Sequence, residues 1–429
     1  MTKLRIWRVV RPVLVLLFLL SIPRTVPAYS VLTHEAIIDS MWASDIKPLL
    51  LKRFPNATPA QLREAHAHAY GGAIIQDMGY YPFGSRLFSD LAHYVRSGEF
   101  VETLIRDSQD LNEYAFALGA LCHYAADNEG HPKATNLSVP ILYPKLRHQY
   151  GDTVTYAEDP TAHIQTEFGF DVIQVAEGHY ASEAYHDFIG FKVAQPLLER
   201  AFKETYGIEL KSIFLSLDLA LGTYRYSVSS VIPTMTKVAW QANKDEIAKQ
   251  TPGITRRKYV YRLSHAAYRK EWGNRYQKPG IFARILAVVF TVIPKVGPFK
   301  ALAIKPSTPE TRKLFVESFK ATVEYYRQLL GQVQAGDLAL ENKDFDTGKP
   351  TRAGEYALAD QAYAGLLDKL ATQHFENASP DLRQNILAFY GDAKAPATTD
   401  KDAAAWQKTM RELTELRAAS GQPVPAKPN

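Results

Sequence analysis

Apolar residues recur at steps of three and four along most of the chain, the spacing of one face of an α-helix, and no stretch alternates long enough to build a sheet. The densest apolar run, residues 114–120, continues into Leu121 and Cys122 and predicts a buried central helix over 110–128. A second helix is predicted over 60–76, with Thr58 as its cap and Pro59 in its first turn. Thr33 is the expected N-cap of a helix running through Ile37, Ile38 and Met41. Residues 89–95 predict a short helix, and another opens behind Asp159 and Pro160. From 181 to 250 the pattern is mostly helical (Phe188, Phe191, Leu198, Phe202), with Pro196 and Pro233 as breaks or kinks. Further helices are predicted over 308–330, 352–373 and 406–417, while Pro132, Pro140, Pro144 and Gly151 predict a loop after the central helix. The fold expected is all-α, with an additional helical C-terminal region.

A chain of 429 residues holds one large domain or two. Thr251, Pro252 and Gly253 interrupt the helical pattern and are the expected boundary between a domain over 29–250 and a helical region over 251–395. Residues 396–429, rich in Ala, Pro, Thr and Lys, are expected to form a partly disordered tail. Lys3, Arg5, Arg8 and Arg11 precede an apolar stretch over 13–22, and Val26, Pro27 and Ala28 offer small residues for cleavage. Residues 1–28 therefore read as a signal peptide, and the protein as secreted or periplasmic. The apolar stretch 281–304 is broken by Arg284, Pro294, Lys295, Gly297, Pro298 and Lys300, too often to span a bilayer. Core packing is its default role; an interfacial element making peripheral membrane contact is the alternative. The net charge of +5 is mild and does not by itself argue for nucleic acid. A single cysteine, Cys122, excludes an internal disulfide.

His123, Asp127 and His131 recur at steps of four, which places two imidazoles and a carboxylate on one helix face. A solvated polar stripe fits poorly with so apolar a helix, and buried His and Asp need partners, so the spacing points to a metal. Asp77 ends a near-apolar run and precedes Tyr80, Tyr81 and Phe83; it reads as a turn residue or as a carboxylate on the wall of an aromatic cleft. His93 alone would be a core histidine with one hydrogen bond, and His163 with Glu167 is again a pair four apart. His66 and His68, two apart, face different sides and read as surface groups or as groups behind the ligands. Ten of the twelve histidines lie between His34 and His186, which marks the front of the chain as its chemical part. Cleavage after Ala28 would leave the α-amine of Tyr29 five residues before His34, and an amine with a pKa near 8 becomes a neutral ligand at modest cost.

With these residues in hand, the chain resembles the zinc-dependent phospholipase C family and its structural cousins, the nucleases of the S1/P1 type, over roughly 29–180. The resemblance rests on an ordered set: Tyr29, His34, Asp77, His93, His123 with Asp127, His131, and His163 with Glu167. It implies an all-α fold holding up to three zinc ions. By resemblance, Asp77, His93, His123 and Asp127 hold the first, and His131, His163 and Glu167 the second. The amine and carbonyl of Tyr29, with His34 and a bridging Asp127, hold the third. Three features depart from or divide the family. Its mature chains begin with Trp where Tyr29 stands here, although the ligand atoms are backbone atoms. The spacing from Tyr29 to His34 is similar to the nuclease branch, while His163 and Glu167 are similar to the phospholipase branch. The family's histidine after the bridging Asp comes six residues on, whereas His131 comes four on, between Gly130 and Pro132. Either the helix breaks at Gly130 and presents His131, or the second site is altered.

The C-terminal region does not resemble the calcium-binding β-sandwich of the toxin members. The implied activity is cleavage of a phospholipid head group or another phosphodiester by metal-activated water, with Asp77 as ligand or base. A nuclease of the same tri-zinc chemistry is the runner-up, and no basic aromatic groove is visible to support it. An envelope binding protein with structural zinc is the third reading.

Overall fold

The central helix spans Leu111–Gly130, and Asp110 caps it by accepting from the amides of Asn112 and Glu113. Every residue from Glu113 to Asn128 is buried, so the helix is enclosed on all sides. The computed structural model describes residues 31–177, 191–228, 305, 307–391 and 400–419. The expected leader, Tyr29, Phe188, Pro233, the boundary at 251–253, the apolar stretch 281–304 and most of the tail lie outside the described residues.

The helix Pro59–Ile74 begins in a capping box made by Thr58 and Gln61 and crosses the central helix at close range. Glycines permit the crossing. A Cβ on Gly72 would lie 1.8 Å from the Phe116 carbonyl oxygen, and one on Gly119 would lie 2.0 Å from that of Ala69. Around this pair stand the helices Val31–Met41, Arg86–Tyr94, Ser97–Asp107, Pro160–Glu177, Gln195–Tyr206 and Leu217–Tyr226. From the C-terminal region, Pro309–Ala335 starts at a Thr308–Thr311 capping box and packs along the central helix, where Tyr326 Oη donates to the Leu118 carbonyl at 2.8 Å. Ala357–Thr372, Pro380–Tyr390 and Asp400–Ala419 follow further along, and one apolar core runs from Val31 to Leu416. The all-α expectation holds. Among the described residues, strand occurs only where Lys343–Asp344 pairs antiparallel with Lys349–Pro350. No helix among them is long and apolar enough to cross a membrane.

Three local expectations are corrected. Thr33 is not an N-cap: the helix already includes Val31, and the amides of Leu32 and Thr33 donate to the Asp171 carboxylate at 3.0 and 2.9 Å. The first turn is thus capped by a side chain distant in sequence. The expected loop after the central helix is helical instead, as a π turn over His131–Thr135 and helices over Asn136–Leu142 and Pro144–Tyr150. Pro140 lacks the amide that Asn136 would receive in a helix, and the Val154 amide fills the gap by donating to the Asn136 carbonyl at 3.0 Å. Pro196 does not break a helix but lies in the first turn of Gln195–Tyr206, where a missing amide costs nothing.

Candidate metal centre

Four segments bring the expected donors to one buried point on the central helix. His123 and Asp127 face the same way, with His123 Nε2 3.1 Å from Asp127 Oδ2. The first helix supplies His34, whose Nε2 lies 3.1 Å from Asp127 Oδ1 and whose ring stacks on His123 at 4.6 Å. The short turn Ile75–Tyr80 presents Asp77, and the helix Arg86–Tyr94 presents His93. His93 Nε2 is 3.4 Å from Asp77 Oδ1, 3.5 Å from Asp127 Oδ2 and 3.3 Å from His123 Nε2. The central helix does not break at Gly130; it widens into the π turn, which leaves His131 Nε2 4.0 Å from Asp127 Oδ1 and 3.6 Å from Glu167 Oε1. Pro160–Glu177 supplies His163, whose Nε2 lies 2.8 Å from that Glu167 oxygen.

The donors fall into three groups with metal-like spacing: His34, His123 and Asp127; Asp77, His93 and His123; and His131, His163 and Glu167. Ligands around 2.1 Å from a tetrahedral zinc lie about 3.4 Å from one another, close to the separations found. All eight side chains are buried. Tyr29, the remaining expected donor, lies outside the described residues. His66 and His68 do not join the cluster. His66 stacks on Trp42 at 3.9 Å and pairs with Asp39, whereas His68 is buried rather than superficial and turns its Nδ1 to the Glu64 carbonyl.

Electrostatics and proton positions both fit a cation here. His93 Nδ1 donates to the Ser89 carbonyl at 2.8 Å and His123 Nδ1 to that of Ala73 at 2.9 Å. A carbonyl only accepts, so in the neutral rings both protons sit on Nδ1 and two Nε2 lone pairs face each other. The oxygens of Asp77 and of Glu167 are buried beside imidazoles, Asp77 Oδ1 near His93 Nε2 and Glu167 Oε1 near His163 Nε2. Burial pushes Glu167 well above the usual carboxylate range. Burial also lowers His163 to about 4, which keeps its ring neutral and able to ligate. At His93 burial works downward, yet the hydrogen bonds and charge of Asp127 and Asp77 outweigh it and raise the ring to about 10. These carboxylates demand positive charge at that spot, and a divalent ion would satisfy it.

Tyr80 and Tyr156 flank the donors. Tyr80 lies 5.7 Å from His93, Tyr156 lies 5.6 Å from His163, and the two rings are 6.1 Å apart. Tyr81 packs on Tyr224 instead, and Phe83 occupies a left-handed backbone conformation at φ 64°. Sequence reasoning missed Tyr156, which stands outside any periodic segment. It also missed Asp171, four residues beyond Glu167 on one helix face, a spacing that offered a signal. Asp346, beside His131, offered none.

Among the described residues, an almost wholly helical fold thus buries imidazoles and carboxylates in groups that could hold metal ions. Residues 33–216 match the family described as zinc dependent phospholipase C, which acts on phosphodiester bonds. That match includes His34, Asp77, His93, His123, Asp127, His131, His163 and Glu167, and the family implies a zinc-dependent hydrolase of phosphodiester bonds. No curated protein and no solved structure matches it.

Proposed function

We propose that the protein is a phospholipase C-type enzyme, exported by residues 1–28, which hydrolyses the bond between the glycerol oxygen and the phosphate of a phospholipid. The observation that carries this reading is the clustering of three buried donor groups, two of them sharing His123, inside the segment that matches the family. Asp77, His93, His123 and Asp127 would hold one zinc ion, and His131, His163 and Glu167 a second. His34 and Asp127 with the Tyr29 amine and carbonyl would hold a third. When bound, zinc supplies Lewis acidity that eases deprotonation of water and neutralises phosphoryl oxygens.

The remaining roles belong to the chain. Asp77, a buried carboxylate beside His93, takes the proton as water adds to phosphorus. The phosphorus–oxygen bond to glycerol breaks and the departing oxygen takes up the proton that Asp77 received, giving diacylglycerol and a phosphorylated head group. Ser89 and Ala73 carbonyls hold the His93 and His123 rings so that both Nε2 atoms face Asp127, where they could ligate the ion. Tyr80 and Tyr156 offer apolar surface beside the donors. Residues 281–304 would touch the membrane surface.

The test measures zinc content and hydrolysis in one preparation, with phosphatidylcholine vesicles and single-stranded DNA as alternative substrates. Vesicle hydrolysis is expected. Cleavage of DNA alone would move the protein to the nuclease branch, and retained zinc with neither activity would make the metal structural. Deleting 281–304 should lower activity on vesicles but not on a soluble short-chain phospholipid; equal loss on both would remove the membrane role. Sequencing the exported chain should begin at Tyr29.

A further inference from the structure

The ribbon Lys343–Asp344 and Lys349–Pro350 carries a turn that reaches the metal centre from far along the chain. Its geometry is set locally. The Asp344 carboxylate accepts from the amide of Asp346 at 2.9 Å and from the Thr347 hydroxyl at 2.7 Å. Gly348 closes the turn at φ 69°, where a Cβ would also lie 2.8 Å from the Asn128 carbonyl oxygen. The turn drives Phe345 against the rings of His93 and His123, at 5.3 and 6.0 Å, and its amide donates to the His93 carbonyl at 3.3 Å.

Asp346 follows, buried, with Oδ1 3.0 Å from His131 Nδ1. Its other oxygen accepts from the hydroxyls of Tyr94, at 2.8 Å, and Tyr356. Its backbone carbonyl accepts from Asn136 Nδ2 at 2.7 Å. The carboxylate is therefore held from several sides and presents one oxygen to one ring nitrogen. His93 and His123 direct Nδ1 at backbone carbonyls, whereas His131 directs it at a carboxylate. A carboxylate on Nδ1 keeps the proton there, fixes the ring plane and makes Nε2 the more basic donor. Here that Nε2 faces Glu167 and Asp127.

We propose that Asp346 is a positioning residue for the His131, His163 and Glu167 group: it sets the His131 tautomer and ring orientation, so that a residue beyond the family segment completes a centre whose described donors all come from within it. This rests on the zinc reading above.

The experiment titrates zinc into the full-length protein against a competing chelator and, in parallel, follows the melting of the zinc-free form. In Asp346→Ala, one class of site should weaken by about 10–100-fold while the tighter sites are unchanged. Asp346→Asn, which keeps an oxygen facing Nδ1, should recover part of that loss and decides the case if the alanine variant does not fold. His131→Ala should lose the same class of site. Cobalt(II) substituted at that class should change its visible spectrum in Asp346→Ala. Zinc affinity unchanged in Asp346→Ala, with only the zinc-free melting lowered, overturns the proposal and leaves the zinc reading intact, provided His131→Ala does lose a site. Absence of zinc binding by the wild type overturns both.

Discussion

Gly72→Ala tests whether helix packing sets the metal donors. Gly72 precedes Ala73, whose carbonyl takes the His123 Nδ1 proton at 2.9 Å. A Cβ at this position falls 1.8 Å from the Phe116 carbonyl oxygen and 2.9 Å from the Ala120 amide nitrogen. A carbon–oxygen contact needs about 3.3 Å, so the two helices must part by about 1.5 Å. Both obstacles are backbone, and no side-chain rotation relieves them. Overpacking of this kind costs about 3 kcal/mol or more, the upper end of its usual range. The same displacement carries the His123 contact past hydrogen-bonding distance and adds roughly 1–3 kcal/mol for buried polar groups left unpaired. Melting of the variant should fall by on the order of 10 °C. Zinc affinity, measured by chelator competition, should fall by about 10–100-fold as His123 loses its orientation. Gly331→Ala is the control: it lies within the helix Pro309–Ala335 with nothing near its added carbon, and should stabilise by about 0.5–1 kcal/mol. A Gly72→Ala protein that melts within about 2 °C of the wild type and binds zinc equally well would refute the reasoning.

Three further outcomes are expected. Asp127→Asn keeps the shape of the carboxylate but removes the charge lying between His34, His93 and His123, which under the proposed assignment bridges two ions; zinc content should fall by two ions and hydrolysis by about 10³-fold or more, against which normal zinc content would count decisively. His68 is lowered from 6.5 to about 4, chiefly by burial, so its neutral form favours the fold. Its contribution is full above pH 6.5 and is lost as the pH falls towards 4, worth about 3 kcal/mol at most; His68→Gln should flatten that part of the stability–pH curve, and an unchanged curve would exclude the histidine as its source. The Tyr156 hydroxyl is buried without a hydrogen bond, so Tyr156→Phe should leave stability unchanged or raise it by about 1 kcal/mol in urea denaturation, whereas a loss would reveal a partner.

What was legible in the chain was local. The apolar run before His123 announced a buried helix, and the four-residue steps of His123, Asp127 and His131 announced a shared face. Thr58 with Pro59 marked a helix start to the residue, and the expected start at Thr308 fell one residue before Pro309. What failed depended on partners far away in sequence. Three prolines and a glycine made 132–151 read as loop because nothing near Pro140 reveals that Val154 will occupy the Asn136 carbonyl. Thr33 carried the chemistry of a cap, but Asp171 filled that role and drew Thr33 into the helix. Asp346 lay in the stretch from Asn342 to Gly348, which reads as an ordinary turn, and only folding brings it to His131.

That last contact also orders events during synthesis. Asp346 meets His131 across 215 intervening steps of chain, and Tyr124 Oη meets the Glu341 carbonyl across 217. Neither partner exists while the ribosome is still making the front half, so a growing chain can collapse around its central helix but cannot finish the pocket. Ion loading in the final geometry must therefore wait until nearly the whole polypeptide has emerged.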